Sequence, residues 1–321
     1  MLTQRELLNS LEKKKAMSDP LFSIVIPTYN RAPLLKVALD SVFYQKFTDY
    51  EVIVVDDGST DGTLEMLKSY GDKIKVLTQQ NSGPGTARNL GAGVAKGEYL
   101  AFLDSDDIWF PWTLETFSVL INKYRKPAII LAKEQEFLNN EIFFSDEQLS
   151  IESNCFPCFI CASSTGYSFG AGMAVIRRWD FHNVGGFDVR FINAEDWDLV
   201  LRMGTALGFV RILSPVTLGY IRTPSSMTGN VLNSYIGSKL LISRETQGEY
   251  SGGLRYRYER LEILGRVIRP VALACLHKAM FKEAWDLYRL TFRWNVLLGR
   301  WKYILAFPLI AQKCFIFCRH N

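Results

Sequence analysis

Three short apolar runs, each stopped by a polar cluster, set the strongest limit on what this chain can fold into. Phe22-Ser23-Ile24-Val25-Ile26 is β-branched and broken by Pro27-Thr28-Tyr29-Asn30; residues 51–55 end in Asp56-Asp57-Gly58-Ser59; residues 99–103 end in Asp104-Ser105-Asp106-Asp107. Short β-branched runs bounded by turn formers read as strands. Between the first two, Leu34, Leu35, Val37, Ala38, Leu39, Val42 and Phe43 recur at helical spacing, and residues 63–70 and 84–95 supply two more helices around a strand at 73–77. Strand and helix therefore alternate, which predicts an α/β fold with a largely parallel, doubly wound sheet. In open sheets of that kind ligands sit beyond the carboxyl ends of the strands, so the clusters around Thr28, Asp57 and Asp106 are expected to converge on one crevice.

Adjacent carboxylates such as Asp104, Asp106 and Asp107 repel one another unless something positive joins them. Hard cations such as Mg²⁺ or Mn²⁺ take carboxylate oxygens and share their shell with substrate phosphates. Asp and Ser also terminate strands and cap helices, and Phe110-Pro111-Trp112 just beyond suits a helix start, so this cluster alone leaves a structural role open. Asp56-Asp57-Gly58-Ser59 by itself is equally an ordinary turn followed by a cap.

Jointly the motifs are more specific. Ser23-Ile24-Val25-Ile26-Pro27-Thr28-Tyr29-Asn30, Val54-Val55-Asp56-Asp57-Gly58-Ser59-Thr60-Asp61, Gly83-Pro84-Gly85-Thr86-Ala87-Arg88-Asn89 and Asp104-Ser105-Asp106-Asp107 resemble, in order and position, glycosyltransferase family 2. Gly185-Gly186-Phe187-Asp188 and Glu195-Asp196-Trp197-Asp198-Leu199 look like that family's acceptor-side segment, so the resemblance covers roughly residues 20–230. It implies the GT-A fold, Rossmann-like with a mostly parallel central sheet and flanking helices.

The resemblance also implies roles. Pro27, Thr28 and Asn30 line the nucleoside pocket, Asp57 accepts from the uracil N3–H, Asp56 supports base or ribose, and Arg88 reaches the nucleotide as a charge-assisted donor. Asp106 contacts the metal, Mn²⁺ or Mg²⁺, and Asp104 orients the ribose or a metal-bound water; the cation neutralises charge growing on the departing nucleotide. Asp196 removes the proton from the acceptor hydroxyl and Glu195 supports it, at a helix start that favours anions, although acidic residues there also serve as plain caps. One displacement from the face opposite the leaving group implies inversion. One segment departs from the pattern: Tyr220-Ile221-Arg222-Thr223-Pro224-Ser225-Ser226 looks like the closing loop, but Thr223 stands where many members carry His. Arg222 or Ser226 is then the expected diphosphate contact.

The 321 residues, 48% of them hydrophobic, suit a large globular domain with a smaller appendage. Residues 251–321 hold 13 Lys and Arg against 4 Asp and Glu, which leaves 24 against 29 in the rest. That basic tail interleaves Arg255, Arg257, Arg260, Arg266 and Arg269 with apolar residues and closes on an aromatic stretch from Trp301 to Phe317. Two readings follow: a helix in the interface of an anionic membrane, or a helical cap whose arginines are merely solvated. Pro308, Gln312 and Lys313 interrupt the stretch, which is too short to span a bilayer, and no nucleic-acid motif accompanies it. The expected organisation is an N-terminal helical extension at 1–19, a GT-A domain at 20–230 and a basic amphipathic helical region at 231–321.

Residues 1–15 are polar and charged, without the apolar core of a secretory signal. The catalytic domain is therefore expected in the cytoplasm, peripheral on the inner membrane's cytoplasmic face. Cys155, Cys158 and Cys161 fall three apart; zinc would need a fourth ligand, and reduced thiols beside the acceptor cleft are the expected reading. Residues 127–132 read as a strand and 134–150 as an irregular loop that selects the acceptor.

The function expected is an inverting, metal-dependent transfer of sugar from a nucleotide-sugar, a UDP-sugar, to a hydroxyl of a glycan or lipid-linked saccharide, in bacterial surface polysaccharide assembly. A sugar-1-phosphate nucleotidyltransferase would show a Gly-rich basic loop after its first strand, where this chain has Pro27-Thr28-Tyr29-Asn30-Arg31. A non-catalytic nucleotide-binding or scaffold protein on a decayed transferase fold has Thr223 as its only hint.

Overall fold

The computed structural model describes residues 19–137, 150–190, 193–221 and 230–320. The helix expected within residues 1–15, residues 138–149 of the acceptor loop, Arg222, Thr223 and Ser226 lie outside the described residues.

Strand β1 (Phe22–Thr28) is buried at every position. It pairs in parallel with β2 (Tyr50–Asp56) and β4 (Tyr99–Phe102), and β2 pairs in parallel with β3 (Lys75–Thr78). Near-continuous apolar strands are what a parallel sheet covered on both faces requires. The crossovers carry α1 (Ala32–Phe43), α2 (Thr63–Lys68) and α3 (Pro84–Val94). α1 buries Leu35, Ala38, Leu39 and Val42, one face at helical spacing, and leaves Val37 outside.

Pro27 lies inside β1 and does not end it. Val25 is the last β1 residue paired with β4, and its carbonyl accepts from Leu103 N, so the missing Pro27 N–H falls where the β1–β4 ladder has stopped.

The sheet is wholly parallel in this half and mixed beyond it. β4 pairs antiparallel with β9 (Ala174–Arg177), which pairs antiparallel with β6 (Ile129–Leu131); β6 pairs parallel with β10 (Phe209–Ser214), and β10 antiparallel with β8 (Glu152–Phe156). The eight strands thus run β3-β2-β1-β4-β9-β6-β10-β8. Regular strand–helix alternation ends after residue 103, so no single crossover helix links β4 to β9 or fixes its direction. A second small sheet, in the order β5-β11-β7, joins β5 (Ile108–Trp109), β7 (Glu134–Phe137) and β11 (Leu218–Ile221). Helices α4 (Thr113–Lys123), α5 (Arg178–Asn183) and α6 (Glu195–Arg202) complete this part.

Four helices close the chain: α7 (Val231–Gln247), α8 (Arg257–His277), α9 (Phe281–Leu297) and α10 (Trp301–His320). They share the core of one sheet face. Ile263, Leu264, Ile268 and Leu276 of α8, Leu287 of α9 and Phe307 of α10 lie in the same buried apolar cluster as Val25, Phe102 and Phe159. The Tyr288 and Phe307 rings stack at 4.5 Å. This packing corrects the view of the tail's arginines as solvated or lipid-facing. Arg260 is buried against Glu245, and Arg266 and Arg269 lie over the rings of Tyr167 and Tyr303 at 5.7 and 5.9 Å. Arg255, Arg257, Arg289 and Arg293 stay exposed. α10 continues through Pro308, and among the described residues no helix is long and apolar enough to cross a membrane.

Candidate active site

The carboxyl ends of β1, β2 and β4 open onto one side, and the polar clusters after them meet there. Thr28 and Asp56 are register partners on β1 and β2. Both are buried, and among the described residues both leave an oxygen without a partner, Thr28 Oγ1 and Asp56 Oδ1. Buried orphan oxygens are uncommon in folded chains, and beside the other polar clusters a ligand's donors would satisfy them. Asp56 Oδ2 accepts from Ser59 N at 3.1 Å.

Asp57, expected to read the nucleobase, is already engaged. Its Oδ1 accepts from Gln79 Nε2 at 2.7 Å and Ser82 N at 2.8 Å, and its Oδ2 from Gly83 N at 2.8 Å. Three of the roughly four acceptor positions of a carboxylate are thus taken by the loop leading into α3. Asn30, expected to line the nucleoside pocket, has a left-handed backbone (φ 50°), and its Oδ1 accepts from Thr60 N at 2.7 Å and Asp61 N at 3.3 Å. Its side chain fastens the loop after β2. Pro27 is buried at the end of β1, beside Thr28.

Arg88 is turned inward. Its Nη2 donates to Asp104 Oδ1 at 2.6 Å and its Nη1 to Glu195 Oε1 at 3.2 Å, while its guanidinium lies 5.5 Å from the centre of the Phe187 ring. This residue, expected to reach the nucleotide, ties the end of β4 to the start of α6, and its Nε has no partner among the described residues. Asp106 also has a cation: Arg31 Nη1 lies 2.5 Å from Asp106 Oδ2. Burial raises the Asp106 pKa, and Arg31 offsets part of that rise. Asp107 Oδ1 is buried without a partner among the described residues, and burial together with Asp104 and Asp106 pushes this carboxyl up to about 9.

Asp196 stands at the first turn of α6. Removal from water and the neighbouring Glu195 push it up to about 7, which makes it a carboxylate able to take a proton near neutrality. Its Oδ1 accepts from Trp197 N at 2.7 Å. The residue before Glu195, Ala194, holds a left-handed backbone at φ 69°, unusual for a residue with a Cβ.

Sequence reasoning missed the groups that hold this turn. Asn193 Nδ2 donates to Ser234 Oγ at 2.9 Å, and α7 approaches so closely at Gly237 that a Cβ there would lie 2.2 Å from the Asn193 carbonyl oxygen. Asn89 fixes the preceding loop: its Oδ1 accepts from Phe187 N and its Nδ2 donates to Phe187 O, both at 2.8 Å. The signal that could have found Asn89 is its place beside Arg88 in the Gly83–Asn89 motif; Gly237 lies in an unremarkable helix and gave none.

Among the described residues, Arg31 and Arg88 pair with Asp106, Asp104 and Glu195, while Asp107 and Asp196 stand beside them, so carboxyl groups outnumber cations. A hard divalent cation fits that imbalance. Among the described residues no three His, Cys, Asp or Glu side chains form a metal cluster, so a cation at Asp106 would depend on this carboxylate and on phosphate oxygens, the usual habit of Mg²⁺. The Sγ atoms of Cys158 and Cys161 lie 2.7 Å apart, and Cys155 is exposed on β8.

Comparison with known proteins agrees with this geometry. Residues 23–178 match the family described as Glycosyl transferase family 2. Residues 23–178 are therefore a domain of that family. An uncharacterized glycosyltransferase of Rickettsia typhi is 38% identical over 191 residues, 58% of this chain and 59% of the relative. The chain spans 33 to 59% of the length of the first curated relatives it matches. Two solved structures share the GT-A fold. Staphylococcus aureus TarS 1–349 in complex with UDP-GlcNAc aligns with TM-score 0.58 and 20% identity over 87% of this chain and 92% of its own. The mannosyltransferase PcManGT of Pyrobaculum calidifontis in complex with GDP-Man and Mn²⁺ aligns with TM-score 0.53 and 18% identity over 95% and 92%.

Proposed function

We propose that this chain is an inverting, metal-dependent glycosyltransferase that moves a sugar from a UDP-sugar onto a hydroxyl of a glycan or lipid-linked saccharide in bacterial surface polysaccharide assembly. The observation that carries the reading is the meeting of a proton-accepting carboxylate, Asp196, with a carboxylate-rich strand end, Asp104 to Asp107, bridged by Arg88. Family membership and the UDP-GlcNAc complex of TarS support the donor class.

Asp196 takes the acceptor hydroxyl's proton as that oxygen bonds to the anomeric carbon; the carbon–phosphate oxygen bond breaks and the nucleoside diphosphate leaves. A divalent cation at Asp106, when bound, neutralises charge on the diphosphate. Asp56 Oδ1 and Thr28 Oγ1 meet the nucleoside, Asp57 and Asn30 hold the loops around it, and Arg88 keeps Asp104 and Glu195 in register across the cleft. The family resemblance assigns the diphosphate contact to Arg222 or Ser226, which lie outside the described residues. The test is nucleotide release from UDP-glucose, UDP-GlcNAc, UDP-galactose and GDP-mannose, each with and without Mn²⁺. UDP release stimulated by Mn²⁺ is expected. GDP release alone would overturn the donor, and silence from all, without nucleotide binding, would favour a decayed scaffold.

The account also includes a membrane partner. The outer face of α10 exposes Trp301, Leu305, Leu309, Ile316 and Phe317, with Leu305 and Leu309 each 68% exposed. These residues lie along about 24 Å of helix at 1.5 Å per residue. Exposed Lys302 and Lys313 lie on the same helix, within the basic segment 251–321. An apolar ridge with lysines beside it suits the interface of an anionic bilayer, here the cytoplasmic face of the inner membrane. The protein is expected to sediment with vesicles containing phosphatidylglycerol and not with pure phosphatidylcholine. Leu305→Glu with Leu309→Glu should abolish that without lowering the melting temperature, since both side chains are exposed. A dimer in solution dissolved by the same pair, with no vesicle binding, would assign the ridge to a second copy.

A further inference from the structure

We infer that Arg31 is a built-in counter-cation, which holds Asp106 until a divalent ion and a nucleoside diphosphate arrive and then passes from the carboxylate to the diphosphate. The inference rests on the transferase reading above and concerns how its metal site is kept before substrate enters.

Arg31 and Arg88 are built differently. Arg88 is buried, bridges two carboxylates on separate elements and is covered by the Phe187 ring, so releasing it would uncover both partners. Among the described residues Arg31 has one ion-pair partner, Asp106, and the two side chains remain 21% and 14% exposed at the rim of the cleft. Its backbone is clamped on both sides. Asn30 N donates to Ser59 Oγ at 2.8 Å, Asn30 Oδ1 takes the Thr60 and Asp61 amides, and Ala32 N donates to Asp61 Oδ2 at 3.3 Å. A fixed backbone with a long, partly exposed side chain lets the guanidinium swing while its root stays in place.

The chemistry of the exchange is matched at both ends. A guanidinium presents a planar fork of donors that suits carboxylate and phosphate alike, whereas a compact hard cation competes for the carboxylate oxygen alone. A divalent cation on Asp106 would stand within contact range of the Arg31 guanidinium, and the repulsion between these like charges drives the arginine off the carboxylate. A cleft without nucleotide is thereby kept paired, and cation binding is tied to the arrival of a diphosphate able to receive Arg31.

The test is Arg31→Gln, with Arg31→Lys as a charge-retaining second variant that keeps the idea testable if the first folds poorly. Binding of Mn²⁺ alone is read by electron paramagnetic resonance, and binding of UDP at saturating Mn²⁺ by calorimetry; neither requires turnover. Arg31→Gln is expected to bind Mn²⁺ alone about tenfold more tightly, and UDP about tenfold more weakly, the scale of one lost charge-assisted contact. Arg31→Lys should keep Mn²⁺ weak, because a point charge still pairs with Asp106, and lose part of the UDP affinity with the fork. Mn²⁺ affinity that is unchanged or weaker in Arg31→Gln overturns the holding role, and unchanged UDP affinity overturns the transfer. If the unaltered protein binds neither Mn²⁺ nor UDP, the transferase reading falls and this inference falls with it.

Discussion

Asp196→Asn is expected to leave UDP binding unchanged while turnover falls by about 10²–10⁴-fold, the usual contribution of a general base. Asn is nearly isosteric, and its Oδ1 can still accept from Trp197 N, so the first turn of α6 keeps its shape. What is lost is a carboxylate that accepts a proton. In the unaltered protein, removal from water and the Glu195 charge hold Asp196 at about 7. The sign of the pH dependence follows. A raised acid pKa means the base form is depleted below about pH 7, so turnover should decline there by about tenfold per unit and level off above it. Turnover of the Asn variant within a few-fold of the original, or a profile flat from pH 5 to 8 in the unaltered protein, would move the base to another group.

The second large effect is on stability. Arg260 and Glu245 are almost wholly enclosed, joined through Nε–Oε2 at 2.7 Å and Nη2–Oε1 at 3.1 Å, and Arg260 Nη1 also donates to the Ser251 and Gly253 carbonyl oxygens. Arg260→Met strands the Glu245 carboxylate away from water and is expected to destabilise the fold by about 3–5 kcal/mol. Urea unfolding followed by circular dichroism measures this. Replacing both partners, Arg260→Met with Glu245→Leu, should recover most of the loss, because no buried charge is then left unpaired. The pair joins α7 to α8, whose apolar side chains share the core of the sheet. A variant that melts with the original midpoint would mean that these helices are a loose appendage.

The sequence made the parallel half of the sheet legible because β1, β2 and β4 are buried on both faces, and such strands must be written as nearly unbroken apolar runs. The antiparallel half was less readable: β9 is four residues long, and no crossover helix announces its direction. Pro27 misled because a proline's effect depends on where the neighbouring strand ends, which one strand's sequence does not contain. The same limit applies to the arginines. Arg88 meets Asp104 and Glu195 across 16 and 107 residues of chain, and Arg260 meets Glu245 on another helix. Charge patterning suggested solvated or lipid-facing side chains, because burial of a charge depends on a partner that only the fold supplies. The motifs did locate the cleft. They did not reveal that Asp57 and Asn30 have their side chains bound into its loops, or that Asn89, Ser234 and Gly237 hold the segments around Asp196.

The central claim is that the ends of β1, β2 and β4 form a site for a nucleotide and a divalent cation. Calorimetric titration of UDP into the unaltered protein and into Asp106→Ala, each with and without Mn²⁺, addresses it most directly. The account predicts UDP binding that Mn²⁺ tightens in the unaltered protein and leaves unchanged in Asp106→Ala. Absence of UDP binding with Mn²⁺ present, or equal tightening in both proteins, would contradict it.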